Sequence, residues 1–200
     1  MSATSSSADL DDPPAAIDDA DAAAAESQPT PSIPRHPLLA AAVLGLAALS
    51  FATYGVEARA FIYAFAAGVL TVLAVIDIQH RVLPNRILLP ATAIVLGAQL
   101  AFYPGHWMEW LLAGLAAAAF LALPLIFRRD AMGMGDIKLA VLLGAIVGWD
   151  VFGAIIIGCI AMLPFALQMR LNQGSLRGAT LPFGPFLALG TVLVMMLGGS

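Results

Sequence analysis

Cysteine is nearly missing from this 200-residue chain. Cys159 stands alone, so an intrachain disulfide and a multi-cysteine zinc site are both excluded, and its expected role is that of a small residue buried in a helix. Charge is scarce as well: acidic and basic residues make up 11% of the chain against 60% hydrophobic, with a mean hydropathy of +0.90. That balance excludes an ordinary soluble domain. The start lacks a positive region followed by an apolar core, so it is not a secretory signal. A nucleophile is lacking too. His80 lies close to Asp77, but no Ser or Cys accompanies it as a triad would require.

What is present falls into two unequal parts. Residues 1–34 are rich in Ala, Ser, Asp and Pro and poor in aromatic and branched aliphatic side chains, too poor to offset the entropy of ordering, so a disordered, solvated tail is expected. Seven of the thirteen acids lie there; from Arg35 onward nine basic residues face six acidic ones, a balance of +3. Residues 35–200 read as one membrane domain, an all-α, polytopic transmembrane helical bundle. The apolar runs are Pro37–Thr53, Ala60–Ile76, Ile87–Phe102, Trp110–Phe127, Ile137–Val147, Val151–Met169 and Phe183–Gly198. They make about seven spans, or six if the turn Gly148, Trp149, Asp150 does not separate two of them. Several fall short of the ~20 residues that cross ~30 Å of hydrocarbon, which implies mutual packing or local thinning.

Lys and Arg concentrate in cytoplasmic loops, and this sets the orientation. With seven spans and a cytoplasmic N-terminus, the inner segments hold Arg35, Arg81, Arg86, Arg128, Arg129, Lys138, Arg170 and Arg177, and the outer segments hold only Arg59. The outer loop from Tyr103 to Trp110, His106 included, reads as an aromatic anchor. The small residues between Leu112 and Ala119 read as packing surface that lets helix backbones approach.

Against this background three features meet on the inner face. Asp77 follows seventeen residues from Ala60 to Ile76, about 25 Å of helix, which sets it at the cytoplasmic boundary. Asp136 opens the short run that begins at Ile137, where it can serve as an N-cap. Gly133 and Gly135 beside it permit positive φ and close approach of another chain, and Lys138 can extend to the headgroups or to a carboxylate. The third feature is Pro182-Phe183-Gly184-Pro185, whose prolines break helical hydrogen bonding and leave extended backbone with free carbonyls. Charged residues at or within the hydrocarbon layer are costly and point to function. Two carboxylates in one site cannot both ionise cheaply, so they share a proton: one acts as general base on water and the other donates to the scissile carbonyl oxygen. The chemistry expected is an aspartyl hydrolase working through activated water.

Asp77 with Leu83-Pro84-Asn85, then Gly133-Met134-Gly135-Asp136-Ile137-Lys138-Leu139, Leu143-Gly144-Ala145 and Pro182-Phe183-Gly184-Pro185, resembles the type IV prepilin peptidases, intramembrane aspartyl proteases of the GxGD class. The resemblance runs from about residue 60 to 198 and rests on order and spacing together. It implies removal of the short basic leader of prepilins or pseudopilins on the cytoplasmic side of a bacterial inner membrane, after a glycine and before an apolar helix. It carries Asp77 and Asp136 over as the two catalytic aspartates. Gly133, Gly135, Pro84, Asn85, Lys138 and the Pro182–Pro185 segment are expected to shape the site or hold the substrate, the last by backbone pairing. Two departures stand out. Many members carry paired Cys-x-x-Cys motifs between early spans and also methylate the new N-terminus, a role that a single cysteine does not support. An acid often follows the Leu-Pro pair, where this chain has Asn85, which leaves Asp77 without a competing carboxylate nearby.

No motif calls for a cofactor, the mechanism requires no metal, and no nucleic-acid partner is expected; the partners are the substrates and the lipid bilayer, and the oligomeric state is left open. Two other classes compete with this reading. A proton or ion transporter also uses paired membrane acids, but favours the bilayer midplane and inverted repeats, and no such repeat is visible. A noncatalytic membrane scaffold would tolerate loss of either Asp. A protease of the signal-peptide-peptidase kind would carry Tyr before its first Asp, where this chain has Ile76.

Overall fold

The computed structural model describes residues 37–127, 133–173 and 182–197. The expected tail, Arg35, Arg128, Arg129 and Arg177 lie outside the described residues. Within them the chain is helical: α1 (Pro37–Tyr54), α2 (Ala58–His80), α3 (Asn85–Phe102), α4 (Trp107–Phe127), α5 (Met134–Val147), α6 (Val151–Gln173) and α7 (Gly184–Leu197), with single 3-10 turns at Pro104–His106 and Gly148–Asp150. No strand occurs among the described residues. Each apolar run expected from the sequence corresponds to one helix.

The helix ends have identifiable causes. Arg81 takes a left-handed conformation (φ 54°) and its N–H closes on the Asp77 carbonyl, which stops α2. Pro84, extended and without an N–H, then precedes α3. Gly148, at φ 61°, ends α5 and donates back to the Gly144 carbonyl. The turn at Gly148–Asp150 therefore separates two helices, although Met134–Gln168 runs through it as one of five helical stretches long and apolar enough to cross a membrane. α5 and α7 have 14 residues each, about 21 Å of helix.

Apolar side chains face outward all round the bundle, among them Leu44, Phe65, Ile94, Ile156 and Leu189, as expected of helices bathed in lipid rather than water. In α1 only Ser50 is buried, and its hydroxyl is satisfied by its own Leu46 carbonyl. Between helices, where apolar area alone gives little driving force, small residues do the packing. Ala113, Gly114 and Ala117 are buried, and Gly144 of α5 lies so close to Gly114 of α4 that a Cβ there would overlap its backbone. Gly190 of α7 meets the Ala154 carbonyl of α6 in the same way. Leu70, Leu73, Leu139, Leu142, Leu143 and Leu187 fill the centre.

The two ends of the bundle differ in content. The C-terminal end of α2, the α2–α3 connection and the N-termini of α5 and α7 come together at one end. At the other, a cavity of about 200 Å³ is lined by residues including Arg59, Tyr63, Gln99, Tyr103, Glu109 and Trp110. The aromatic loop belongs to that second end: the Arg59 guanidinium lies 5.4 Å above the Tyr103 ring, and Trp110 packs against both Tyr103 and His106.

Candidate active site

Asp77 occupies the last turn of α2, at a position where its apolar neighbours Leu73 and Ile76 turn inward. Only 6% of Asp77 is exposed. A buried carboxylate needs a donor, and the one provided is a backbone amide: the Gly184 N–H donates to Asp77 Oδ2 at 3.1 Å. Gly184 is the first residue of α7, whose leading amides have no partner within the helix. A Cβ on Gly184 would stand 2.8 Å from the same oxygen, so the approach requires glycine.

Asp136 lies in the first turn of α5. The N-cap is Gly133 rather than Asp136, and no side chain caps the helix, so the expected capping role is replaced by a position one turn inside it. The Asp136 amide bonds to the Gly133 carbonyl at 3.1 Å, and a Cβ on Gly133 would meet Asp136 Oδ2 at 3.4 Å. Asp136 is half-buried, and its neighbour Gly135 packs on Leu83 of the connection that follows α2, which brings the start of α5 to the Asp77 end of that helix. Thus α2 and α5 deliver their acids to one end of the bundle, with α7 closing over the first. Among the described residues no donor reaches the Asp136 carboxylate. Nor do three or more His, Cys, Asp or Glu side chains gather to hold a metal ion among them.

The glycines act through space rather than through unusual dihedrals. Gly133 has φ −69° and Gly135 is helical, and neither is among the positive-φ glycines, Gly55 and Gly148. The expectation of positive φ is therefore corrected, and what comes close at Gly135 is this chain's own connection: a Cβ there would lie 2.9 Å from Leu83 Cβ. Gly135 thereby lets the Leu83-Pro84 connection close on α5. Leu83 is buried and joins Leu70, Leu73, Leu139, Gly184 and Ala188 in an apolar floor under the acids. Its importance was signalled only by its place beside Pro84 and Asn85. The Lys138 Nζ donates to the Asn85 side-chain carbonyl at 3.1 Å, an exposed contact that joins the start of α3 to α5, and no carboxylate partners it among the described residues.

The Pro182–Pro185 segment is also less open than its prolines imply. The Phe183 carbonyl accepts from Phe186 and Leu187 N–H at 3.1 and 3.2 Å, and Pro185 already lies inside α7. That carbonyl is capped and the Gly184 amide is on Asp77, so the segment does not present the free Phe183 carbonyl expected of it.

Residues 64–167 match the type IV leader peptidase family. The chain is 28% identical over 172 residues to a prepilin leader peptidase/N-methyltransferase of Bacillus subtilis (strain 168), covering 84% of this chain and 66% of that protein. It is 29% identical over 177 residues to a protein of the same name from Pseudomonas putida, covering 82% and 59%. A third, from Dichelobacter nodosus, is 31% identical over 152 residues, covering 66% and 46%. The chain thus spans between about half and two thirds of the length of these relatives. No solved structure matches it. The matched segment contains both Asp77 and Asp136 and ends before Gly184. With a helical membrane bundle, two acids at one end of it and a match across 64–167, the chain belongs to the type IV leader peptidase family.

Proposed function

We propose that residues 35–200 form a membrane aspartyl endopeptidase that removes the short basic leader of type IV prepilins or pseudopilins. One observation carries this reading: Asp77 at the end of α2 and Asp136 in the first turn of α5, far apart in sequence, meet at the same end of an apolar bundle. A substrate whose apolar helix lies in the bilayer presents its leader junction at that depth. Water between the acids loses a proton to one carboxylate as its oxygen bonds the scissile carbonyl carbon, while the other, protonated, donates to the carbonyl oxygen. Collapse breaks the C–N bond, the leaving nitrogen takes the proton held by the base, and the other aspartate recovers a proton from a hydroxyl as the new carboxyl group forms.

Loop charge supports a multi-pass inner-membrane protein with a cytoplasmic N-terminus and the acids on the cytoplasmic side, since Arg81, Arg86 and Lys138 cluster at their end and Arg59 lies at the other. The position of both acids at helix ends, rather than midway along the bundle, favours hydrolysis over ion transport.

The test is leader cleavage of a prepilin in reconstituted vesicles by the unmodified chain, Asp77→Asn and Asp136→Asn at matched levels. Loss in each single variant is expected. Cleavage at the unmodified rate by either would rule out a two-carboxylate protease.

A further inference from the structure

Gly184 and the helix it opens bear on how the two acids divide their work, a point that rests on the peptidase reading above. The carboxylates are not in equivalent surroundings. Asp77 is almost wholly enclosed yet receives a backbone N–H at 3.1 Å from the N-terminus of α7. That amide favours a negative charge on Asp77, whereas a helix dipole does not separate the two acids, since Asp136 lies in the first turn of α5. The donor is held by the capping of Phe183, whose carbonyl takes two amides of the first turn, and by Pro185, which fixes φ at the second helical position. Asp136 is partly open and has no donor among the described residues.

We infer that the Gly184 N–H is a positioning group for Asp77, holding it as the ionised general base, and that Asp136 carries the shared proton and acts as the general acid. Pro182-Phe183-Gly184-Pro185 thereby serves the catalytic carboxylate and not the peptide. During hydrolysis Asp77 takes the proton of water as the water oxygen bonds the carbonyl carbon, and Asp136 gives its proton to the carbonyl oxygen. On collapse Asp77 passes its proton to the leaving nitrogen, and Asp136 recovers one from the hydroxyl as the new carboxyl group forms. Both acids end as they began. Glycine is required at 184 because any Cβ would press on Oδ2 and Cγ of Asp77, at 2.8 and 3.2 Å.

The decisive variant replaces the Phe183–Gly184 peptide bond by an ester in the full chain, exchanging the Gly184 N–H for oxygen and adding no atom to crowd the site. In vesicles, with a peptide of basic leader, glycine junction and apolar helix as substrate, kcat is expected to fall about ten-fold or more while KM stays within about two-fold. The acidic limb of the pH–rate profile should move to higher pH, since the ionised base has lost a donor that favoured it. A raised KM with kcat retained would overturn the proposal in favour of a substrate clamp, and unchanged kinetics would overturn it outright. A second measurement needs no turnover: the Gly184 amide proton resonance of the micelle-embedded chain. It should move upfield in Asp77→Asn by more than in Asp136→Asn, and an equal response to both would also overturn the pairing. If the unmodified chain cleaves nothing but this resonance responds to Asp77, the pairing stands and the peptidase reading is what fails.

Discussion

The Gly184 amide and Oδ2 of Asp77 are joined by a 3.1 Å hydrogen bond across 107 positions of sequence. This contact ties the last helix to the first acid, and it lies partly beyond the segment, 64–167, that the family match covers. A buried carboxylate with a fixed donor and a half-buried one with none among the described residues are different chemical objects, though the sequence writes both as Asp.

Removing either carboxylate should remove the chemistry and leave the bundle standing. Asp77→Asn and Asp136→Asn are each expected to lower the cleavage rate by at least about 100-fold, the usual scale of a general acid or base. Helix content by circular dichroism should match that of the unmodified chain. A rate within about three-fold in either variant contradicts the assignment.

Of the two glycines before Asp136, only one is sterically closed. A Cβ at 135 would meet Leu83 Cβ at 2.9 Å, whereas one at 133 meets Asp136 Oδ2 at an ordinary 3.4 Å. Gly135→Ala should therefore push the α2–α3 connection off α5 and slow cleavage by about ten-fold or more, on the scale of the 1–3 kcal/mol that overpacking costs. Gly133→Ala should stay within about three-fold. Equal effects at the two positions would show that close approach of Leu83 is not the reason for Gly135.

Between α4 and α5 the demand for glycine is structural. Gly144→Ala places a Cβ on the backbone of Gly114 and must separate the two helices, with an expected loss of about 1–3 kcal/mol. Thermal unfolding in detergent measures it. Gly97→Ala, also inside a helix but with nothing within 4 Å of the added carbon, serves as the control and should raise stability by up to about 1 kcal/mol, the helix-propensity gain of Ala over Gly.

Far from the acids, Gln99 is 4% exposed and its Nε2 donates to the carbonyls of Ala145 and Ile146 at 3.4 and 3.3 Å, where α5 ends. Gln99→Leu leaves those carbonyls without their donor and should cost about 1–3 kcal/mol. Gln99→Glu should be less stable still at neutral pH, because an ionised carboxylate would face two acceptors. Its stability should recover as pH falls and the carboxyl group regains a proton to donate. Chemical unfolding at two pH values distinguishes this from a simple loss of packing.

Much of the architecture was legible from residue pattern because lipid imposes a simple rule: each backbone polar group must be satisfied within its own segment, so long apolar runs become helices. Asp77 and Asp136 were legible for the same reason, as charges at the edges of such runs. Lys138 was not, since its bond to Asn85 joins α5 to α3 and depends on how those helices pack. Gln99 escaped notice because a single amide near a helix end looks like any surface polar residue until the ends of α3 and α5 are brought together. The prolines at 182 and 185 suggested open backbone, but a capped Phe183 carbonyl and an amide turned to Asp77 are tertiary facts.

By composition, run length and loop charge, the amino-acid sequence alone determined a helical membrane bundle with two acids at one end, because burial of backbone groups and the cost of charge in hydrocarbon depend on local chain chemistry. Only the tertiary structure decided which glycine serves a turn, which serves a helix contact and which serves a carboxylate. The reason is that a missing Cβ acquires meaning only from the atom that occupies its place: Leu83 at Gly135, Gly114 at Gly144 and Asp77 at Gly184.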